Sequence, residues 1–265
     1  MIRIKNKVIQ WLDKYFPEFF KVFGDWEGKA ALITLREFPT PEDILSTGTD
    51  RVVAAWKKEV SRAVGIKRAM KLVVAAEGSI GIQEGLKMAR KELARLIDQY
   101  DLYMRQLTET DKDIEELALQ IPGVKEMLTI KGVGITTAAG FMAEVGDIKR
   151  FIHPDQIQKL AGLNLIENSS GNHKGQTSIS KRGRPRLRSL MFRVMMPLVA
   201  KNTEFKALHK YYTTRKVNPL KKKQSLILLC CKLIRIFYAI INKQVAYNPE
   251  KLLKDISYLQ LRDAA

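Results

Sequence analysis

The sequence predicts a mainly α-helical protein in which a long antiparallel helical spacer precedes a compact helical domain. Apolar residues recur at spacings of three and four over most of the chain, which is the pattern of amphipathic helices. No segment shows the alternation of apolar and polar residues that is typical of a half-buried strand. The content of 46% hydrophobic and 28% charged residues is that of a globular protein, and 265 residues suffice for one large domain or two ordinary ones.

Residues 1–50 are predicted to hold short helices. Apolar side chains at helical spacing predict one helix over residues 5–23, which Pro17 kinks or divides, and a second over residues 26–38. This region is therefore expected to be a small helical segment ahead of the spacer.

Residues 51–120 are predicted to form two long helices. Apolar side chains at helical spacing cover residues 52–74 and again 86–107, with glycines between them. An antiparallel pair of such helices would make a coiled-coil-like spacer or a dimerisation arm, so a homo-oligomer is expected. The core of a plain helical bundle accounts for the pattern equally well.

Residues 121–250 are predicted to form the compact domain, and residues 251–265 a tail. The domain opens with an apolar–glycine turn around Gly132 and Gly134 before a helix of small residues, as in a helix-hairpin-helix element. The amides at the start of that helix can face a phosphate, although a turn that only packs two helices together is the alternative. Further helices are predicted over residues 151–163, 187–200, 203–212 and 226–242.

The positive charge is concentrated in the second half of the chain. The net charge of the chain is +18. Residues 1–150 hold 24 basic and 22 acidic side chains, whereas residues 151–250 hold 19 basic and 4 acidic ones. Such an imbalance indicates a surface that binds nucleic acid, with a solvated basic face or a membrane-surface patch as the alternatives. The apolar stretch 226–241 contains Lys232 and Arg235, which favours a buried helix over a membrane span.

No acidic residue lies between Glu167 and Glu204, and this gap holds the candidate site. Arginine clusters can neutralise phosphate oxygens in a transition state, and Ser169 and Ser170 offer hydroxyl nucleophiles if a base or nearby cations activate them. Arginines more often position a nucleic-acid backbone, and serine beside glycine is more often a turn. The candidate DNA-binding residues are Gly132, Gly134, Lys174, Lys181, Arg182, Gly183, Arg184, Arg186 and Arg188.

The cysteines and histidines do not suggest a metal site. Cys230 and Cys231 are neighbours, so no disulfide framework is expected and a reducing cytoplasm fits. The three histidines show no zinc-ligand spacing, and the N-terminus lacks the apolar core of a signal peptide. A tyrosine recombinase that uses Tyr211 or Tyr212 is a third hypothesis, which the lack of an arginine–histidine–arginine constellation in the sequence around them disfavours.

A series of motifs resembles one known family over about residues 121–247. The series is similar to the C-terminal domain of the bridge-RNA-guided, or DEDD-type, insertion-sequence transposases, and segments 12–19 and 38–41 resemble the middle region of that family. The motifs are Ile130-Lys131-Gly132-Val133-Gly134, Glu144-Val145-Gly146-Asp147, Arg150-Phe151, Leu160-Ala161-Gly162-Leu163, Ser170-Gly171, Ser180-Lys181-Arg182-Gly183 and Leu187-Arg188.

The resemblance implies a specific role for Ser170. In the family, the serine before the glycine is the nucleophile that joins transiently to DNA, and Ser169, one residue out of register, remains the alternative. Lys181, Gly183 and Arg188 fall on the basic motif, where DNA or transition-state contacts are expected. DNA and a guide RNA are the implied partners, and the implied location is the cytoplasm, at the nucleoid.

The family also places a nuclease-like domain with an Asp-Glu-Asp-Asp metal site ahead of the middle region, and this chain begins after that point. Its carboxylates at residues 111–116 are predicted to form a solvated helix face, so no cofactor is expected here and Mg²⁺ is expected only for the absent domain. The predicted function is that of a transposase fragment that binds DNA and carries a serine nucleophile. A non-catalytic DNA- or RNA-binding relic or regulator is the alternative.

Overall fold

The computed structural model describes residues 1–61, 65–166, 169–170, 173–174 and 177–252. Its regular elements are almost all helices, which confirms the predicted fold class. The chain divides into two compact units, Met1–Thr110 and Asp111–Ala265, and each has its own hydrophobic core.

The first unit consists of short helices and the start of one long helix. Its elements are α1 (Ile2–Tyr15), α2 (Phe19–Val22), α3 (Lys29–Glu37), α4 (Pro41–Thr47), α5 (Thr49–Glu59), α6 (Ile66–Glu77) and the beginning of α7 (Leu86–Leu119). Helix α1 ends two residues before Pro17, as predicted, because a proline inside a helix removes a backbone donor. Thr40 caps α4, since its Oγ1 accepts a hydrogen bond from the amide of Asp43 at 3.4 Å.

The helix predicted over residues 52–74 is two helices, α5 and α6, which corrects the antiparallel pair expected from the sequence. Trp56 of α5 and Leu72 of α6 are both fully buried, and they belong to the same core. Trp56 also donates from Nε1 to Oγ1 of Thr34 at 2.9 Å, and α6 packs against α2, α4 and α5. Residues 1–50 and 51–110 consequently share one core, and no unit boundary lies at residue 50.

Helix α7 is longer than its apolar pattern indicated. It runs over 34 residues, and the boundary between the two units falls inside it. Residues 102–117 are exposed on every side of the helix.

The second unit is built around one apolar helix, α13. Its elements are the end of α7, α8 (Val124–Leu128), α9 (Ile135–Val145), a 3₁₀ helix (Ile148–Arg150), α10 (Pro154–Ala161), β1 (Leu165–Ile166), β2 (Ser169–Ser170), β3 (His173–Lys174), β4 (Ser178–Ile179), α11 (Pro185–Lys201), α12 (Thr203–Thr214) and α13 (Lys222–Lys243). Helix α13 packs against α8, α10, α11, α12 and the 3₁₀ helix. Phe237 of α13 meets Phe141 of α9 edge-on, with ring centroids 4.9 Å apart.

Within the described residues, α13 is the one helix whose length and composition would allow it to cross a membrane. At 22 residues it is longer than the helix predicted over residues 226–242. One face of α13 is buried in the unit, including Leu229, Leu233 and Phe237. Because this face packs in the core of the unit, the apolar sequence of α13 is that of a core helix.

Two small antiparallel sheets connect α10 to α11. Strand β1 pairs with β4, and inside that connection β2 pairs with β3. The sequence did not predict these strands, because two residues are too few to show an alternating pattern.

Candidate nucleic-acid interface

The basic loop, residues 180–184, is fixed to the C-terminal end of α10 by backbone hydrogen bonds. The amide of Lys181 donates to the carbonyl of Gly162 at 3.0 Å, and the amide of Arg184 donates to the carbonyl of Leu160 at 2.7 Å. The amide of Ser180 donates to Asn164 at 2.7 Å. Lys181 and Arg184, on either side of Arg182, are both hydrogen-bonded to the end of α10. The backbone of the loop is therefore held in place, although the loop lies on the surface.

Two glycines allow this close approach of two backbones. Gly162 and Gly183 both have positive φ, at 69° and 133°. A Cβ atom on Gly162 would lie 2.7 Å from the carbonyl oxygen of Arg182, and one on Gly183 would overlap the carbonyl oxygen of Leu160. Gly183 is therefore needed for packing, since any side chain would push the loop away from α10.

Two arginines of the candidate set hold the loop in place. Nη1 of Arg188 donates to the carbonyls of Ala161 at 3.0 Å and Lys181 at 3.1 Å, and the side chain is half-buried. Arg184 donates from Nη1 to the carbonyl of Glu144, and the same nitrogen lies 3.9 Å from Oε2 of that residue. Both guanidinium groups thus have protein partners, and both brace the basic loop.

The other three cations of this segment differ from Arg184 and Arg188 in their contacts. Lys181, Arg182 and Arg186 are exposed, and none of these side chains forms an ion pair or hydrogen bond with a residue that the structure describes. Arg186 lies in the first turn of α11. These three side chains therefore present positive charges for which the described residues supply no partner.

The predicted nucleophile lies in the inner strand pair. Ser170 is the register partner of His173, and Ser169 is the register partner of Lys174. In chain order, β2 and β3 lie between β1 and β4, and all four strands precede the basic loop. The side chains of Ser169, Ser170 and Lys174 lie outside the described residues, so their predicted roles stay predictions.

The two glycines of the predicted helix-hairpin-helix differ in their surroundings. Gly132 packs on α11, because a Cβ there would lie 3.2 Å from the Cα of Leu198. Gly134 is exposed at the N-terminal cap of α9 and has open space around it. The turn joins α8 to α9, and of the two glycines only Gly134 has room for a ligand beside it. Phosphate binding there stays a prediction.

The carboxylates of residues 111–116 lie exposed along α7. Among the residues that the structure describes, no three His, Cys, Asp or Glu side chains are grouped as metal ligands. A magnesium site of the kind expected for the family does not fit these residues, and no chemical step is assigned to a metal here.

Sequence reasoning missed three residues of this surface. Glu144 holds Arg184, and Ser189 and Arg193 continue the exposed face of α11 beyond Arg186. The spacing of residues 186, 189 and 193 was the available signal, because positions three and four apart share one helix face.

Comparison with known proteins identifies the region that contains this interface. Residues 124–210 match the family model described as "Transposase IS116/IS110/IS902 family". This stretch is similar to the insertion-sequence transposases of that family. The match runs from the start of α8 into α12, and it includes the basic loop and both strand pairs.

Individual relatives extend the similarity beyond this region. The chain is 26% identical over 230 residues to the "Insertion element IS900 uncharacterized 42 kDa protein" of Mycobacterium paratuberculosis, which covers 86% of this chain and 57% of the relative. It is 22% identical over 250 residues to the "Insertion element IS116 uncharacterized 44.8 kDa protein" of Streptomyces clavuligerus, covering 94% and 61%. It is 28% identical over 141 residues to the "Transposase for insertion sequence element IS1111A" of Coxiella burnetii, covering 52% and 38%. The chain thus spans about three fifths of the length of the first two relatives.

Proposed function

We propose that this chain acts in DNA transposition, that its second unit binds DNA through the basic loop, and that Ser170 is the nucleophile. The observation that carries the proposal is the family match over residues 124–210, which includes both the basic loop and the Ser170 strand pair. The more basic of the two units is the one that contains the match.

The electrostatics of the loop support DNA binding. Exposed guanidinium and ammonium groups without internal partners bind phosphates and release condensed counterions. Because hydrogen bonds to α10 hold the loop backbone, less conformational entropy is lost when DNA binds than for a free segment. Arg184 and Arg188 contribute to binding mainly by fixing this backbone.

The proposed reaction is a transesterification at phosphorus. Oγ of Ser170 forms a bond to the phosphorus of one DNA strand, and the bond from phosphorus to the strand's own ester oxygen breaks. That oxygen leaves as a hydroxyl with the proton that the serine gives up, so a serine–DNA phosphodiester is formed. Attack by the hydroxyl of another strand end reverses these changes and frees the serine. Arginines near the phosphate would stabilise the charge on its oxygens.

A covalent adduct tests the proposed reaction. Full-length protein is incubated with radiolabelled duplex DNA from the ends of its own insertion element, together with Mg²⁺ and RNA transcribed from that element. Adducts are counted after denaturing electrophoresis. We expect an adduct with the wild-type protein and with Ser169→Ala, and none with Ser170→Ala. An adduct that is lost only in Ser169→Ala would move the nucleophile by one residue, and an adduct retained in both variants would overturn a serine nucleophile in this strand.

Two partners belong to the proposal as well. The guide RNA would bind the same basic surface, because its backbone carries the same phosphate charge.

A second copy of the chain would pack along the exposed part of α7, where Leu107 and Ile114 lie one heptad apart on one face. Sedimentation of the Leu107→Asp variant beside the wild type tests this contact between two copies. If both proteins sediment with the same molecular mass, the contact is contradicted.

A further inference from the structure

A groove of about 590 Å³ lies between α9 and α11 in the second unit. Helix α11 lines it with Arg186, Ser189 and Arg193, which share one helix face because they are three and four residues apart. Helix α9 lines the opposite side with Thr136, Gly140, Ala143 and Glu144. The groove is thus bounded by cations and a hydroxyl on one side and mostly by small residues on the other.

The two arginines of the groove have no neutralising partner among the residues that the structure describes. Arg186 and Arg193 are exposed, and neither has an ion pair or hydrogen bond with a residue that the structure describes. The carboxylate of Glu144 lies against Arg184, whose Nη1 is 3.9 Å from its Oε2. Arg184 offsets this carboxylate, so the groove keeps a net positive charge.

The small residues of α9 make the groove shallow and open. A Cβ on Gly140 would lie 3.0 Å from Cδ2 of Leu190, so this glycine lets α11 approach α9 at the floor of the groove. Ala143 is exposed at the rim, and a longer side chain there would extend into the groove. Thr136 and Ser189 are exposed as well and supply two hydroxyl donors.

We infer that this groove holds one strand of duplex DNA by its phosphates, and that Arg193 is a binding residue beyond the basic loop. Arg186 and Arg193 are seven positions apart, which is about 10.5 Å along a helix, so the two guanidinium groups reach different phosphates. The hydroxyls of Thr136 and Ser189 donate to phosphate oxygens between them. The inference rests on the proposed function, because it extends the same DNA-binding surface.

The groove adjoins the basic loop, which supports a single strand path. Pro185 and Arg186 line its end and directly follow the loop residues in the chain. A strand that runs along α11 would therefore continue over Arg182 and Lys181. The groove would thus set the direction in which the strand passes the loop.

Two variants test the groove by different means. Arg193→Ala removes one charge from it, and Ala143→Gln fills it without changing the net charge. Arg105→Ala is the matched control, because Arg105 is also an exposed helical arginine without a described partner but lies on α7. Binding to a random-sequence 30-base-pair duplex and to a structured RNA of similar length is measured by fluorescence anisotropy between 50 and 300 mM salt. Circular dichroism checks that each variant is folded.

We expect Arg193→Ala to lower duplex affinity about tenfold, as for loss of a charged hydrogen bond, and to reduce the salt slope by about 0.9. Ala143→Gln should lower affinity with little change in far-UV circular dichroism, and Arg105→Ala should bind like wild type. If wild type binds duplex with a steep salt slope but both groove variants match it, the groove inference is overturned and the proposed function stands. If wild-type binding has no salt dependence, the proposed function itself fails. An effect of the variants on RNA alone would overturn the assignment to duplex DNA.

Discussion

The two units each contain a surface groove lined by arginines, and the grooves differ in what those arginines contact. In the first unit, a groove of about 540 Å³ is lined by Arg36 and Arg90. Arg36 forms two hydrogen bonds to Asp101, at 2.8 and 2.7 Å, and Nη2 of Arg90 lies 2.8 Å from Glu42 and 2.9 Å from Asp43. In the second unit, the arginines of the groove have no described carboxylate partner apart from the Arg184–Glu144 contact beside it.

The pKa of Asp43 shows that the charges of the first groove stabilise one another. Partial burial would by itself raise the pKa of Asp43, but hydrogen bonds from Arg90 and Thr40 and the charge of Arg90 lower it below its usual value. The carboxylate is therefore an internal partner of the arginine.

The difference teaches that the number of arginines in a groove does not by itself indicate a binding site. Residues 1–110 carry 19 basic and 15 acidic side chains, and residues 111–265 carry 27 and 13. In the first unit the carboxylates lie where they satisfy the arginines, and in the second they are too few along α11 to do so. Cations that stabilise the fold and cations that remain for an external anion are distinguished by their partners.

The largest expected effect comes from Gly183, which lets the basic loop pack on α10. Gly183→Ala should lower the free energy of unfolding of the second unit by about 2–4 kcal/mol, because the new Cβ overlaps a backbone carbonyl at a positive φ. Gly24→Ala, in open space in the first unit, is the control. All three tryptophans lie in the first unit, so the circular-dichroism transition should move in Gly183→Ala while tryptophan fluorescence does not. Equal behaviour of the two variants would refute the packing role.

A reciprocal pair of arginine variants tests the contrast directly. Arg90→Ala should destabilise the first unit by about 1–2 kcal/mol, since it leaves the partly buried carboxylate of Asp43 without its arginine donor, and should leave DNA affinity unchanged. Arg182→Ala should leave stability within about 0.5 kcal/mol but reduce the salt slope of DNA binding by about 0.9. Denaturant unfolding and anisotropy titrations measure both effects. Because each change removes one positive charge, an equal loss of DNA affinity in both variants would mean that only net charge matters.

The smallest expected effect is a pH dependence confined to the second unit, which contains all three histidines. Partial burial and the nearby Lys222 lower the pKa of His209 below 6.5, and its Nδ1 lies 2.9 Å from Oγ of Ser225. The unfolded chain therefore takes up this proton at a higher pH than the folded unit does. Stability should fall as the pH drops below 6.5 and should be fully present above it.

His209→Gln should flatten this dependence, because glutamine keeps a hydrogen-bonding group but does not titrate in this range. Melting temperatures at pH 7.5 and 5.5, followed by circular dichroism, compare the variant with the wild type. An identical drop in both proteins would assign the pH dependence to another group.

The sequence by itself determined the class of fold, the break at Pro17, the helices of the second half and the location of the excess charge. These features depend on local spacing and composition, and the motifs near Ser170 depend on residue order alone. The family similarity lies in the same region as those motifs. Each can therefore be read without knowing which distant residues meet.

Only the tertiary structure decided which helices share a core and which arginines remain available. Trp56 and Leu72 lie in one apolar pattern, yet they belong to two separate helices that pack against each other in the same core. Arg188 and Arg193 look alike in sequence, but Arg188 donates to two backbone carbonyls while Arg193 lines an open groove. The physical reason is that a charge is neutralised by whatever the fold brings within a few ångströms, and residue order does not reveal those distances.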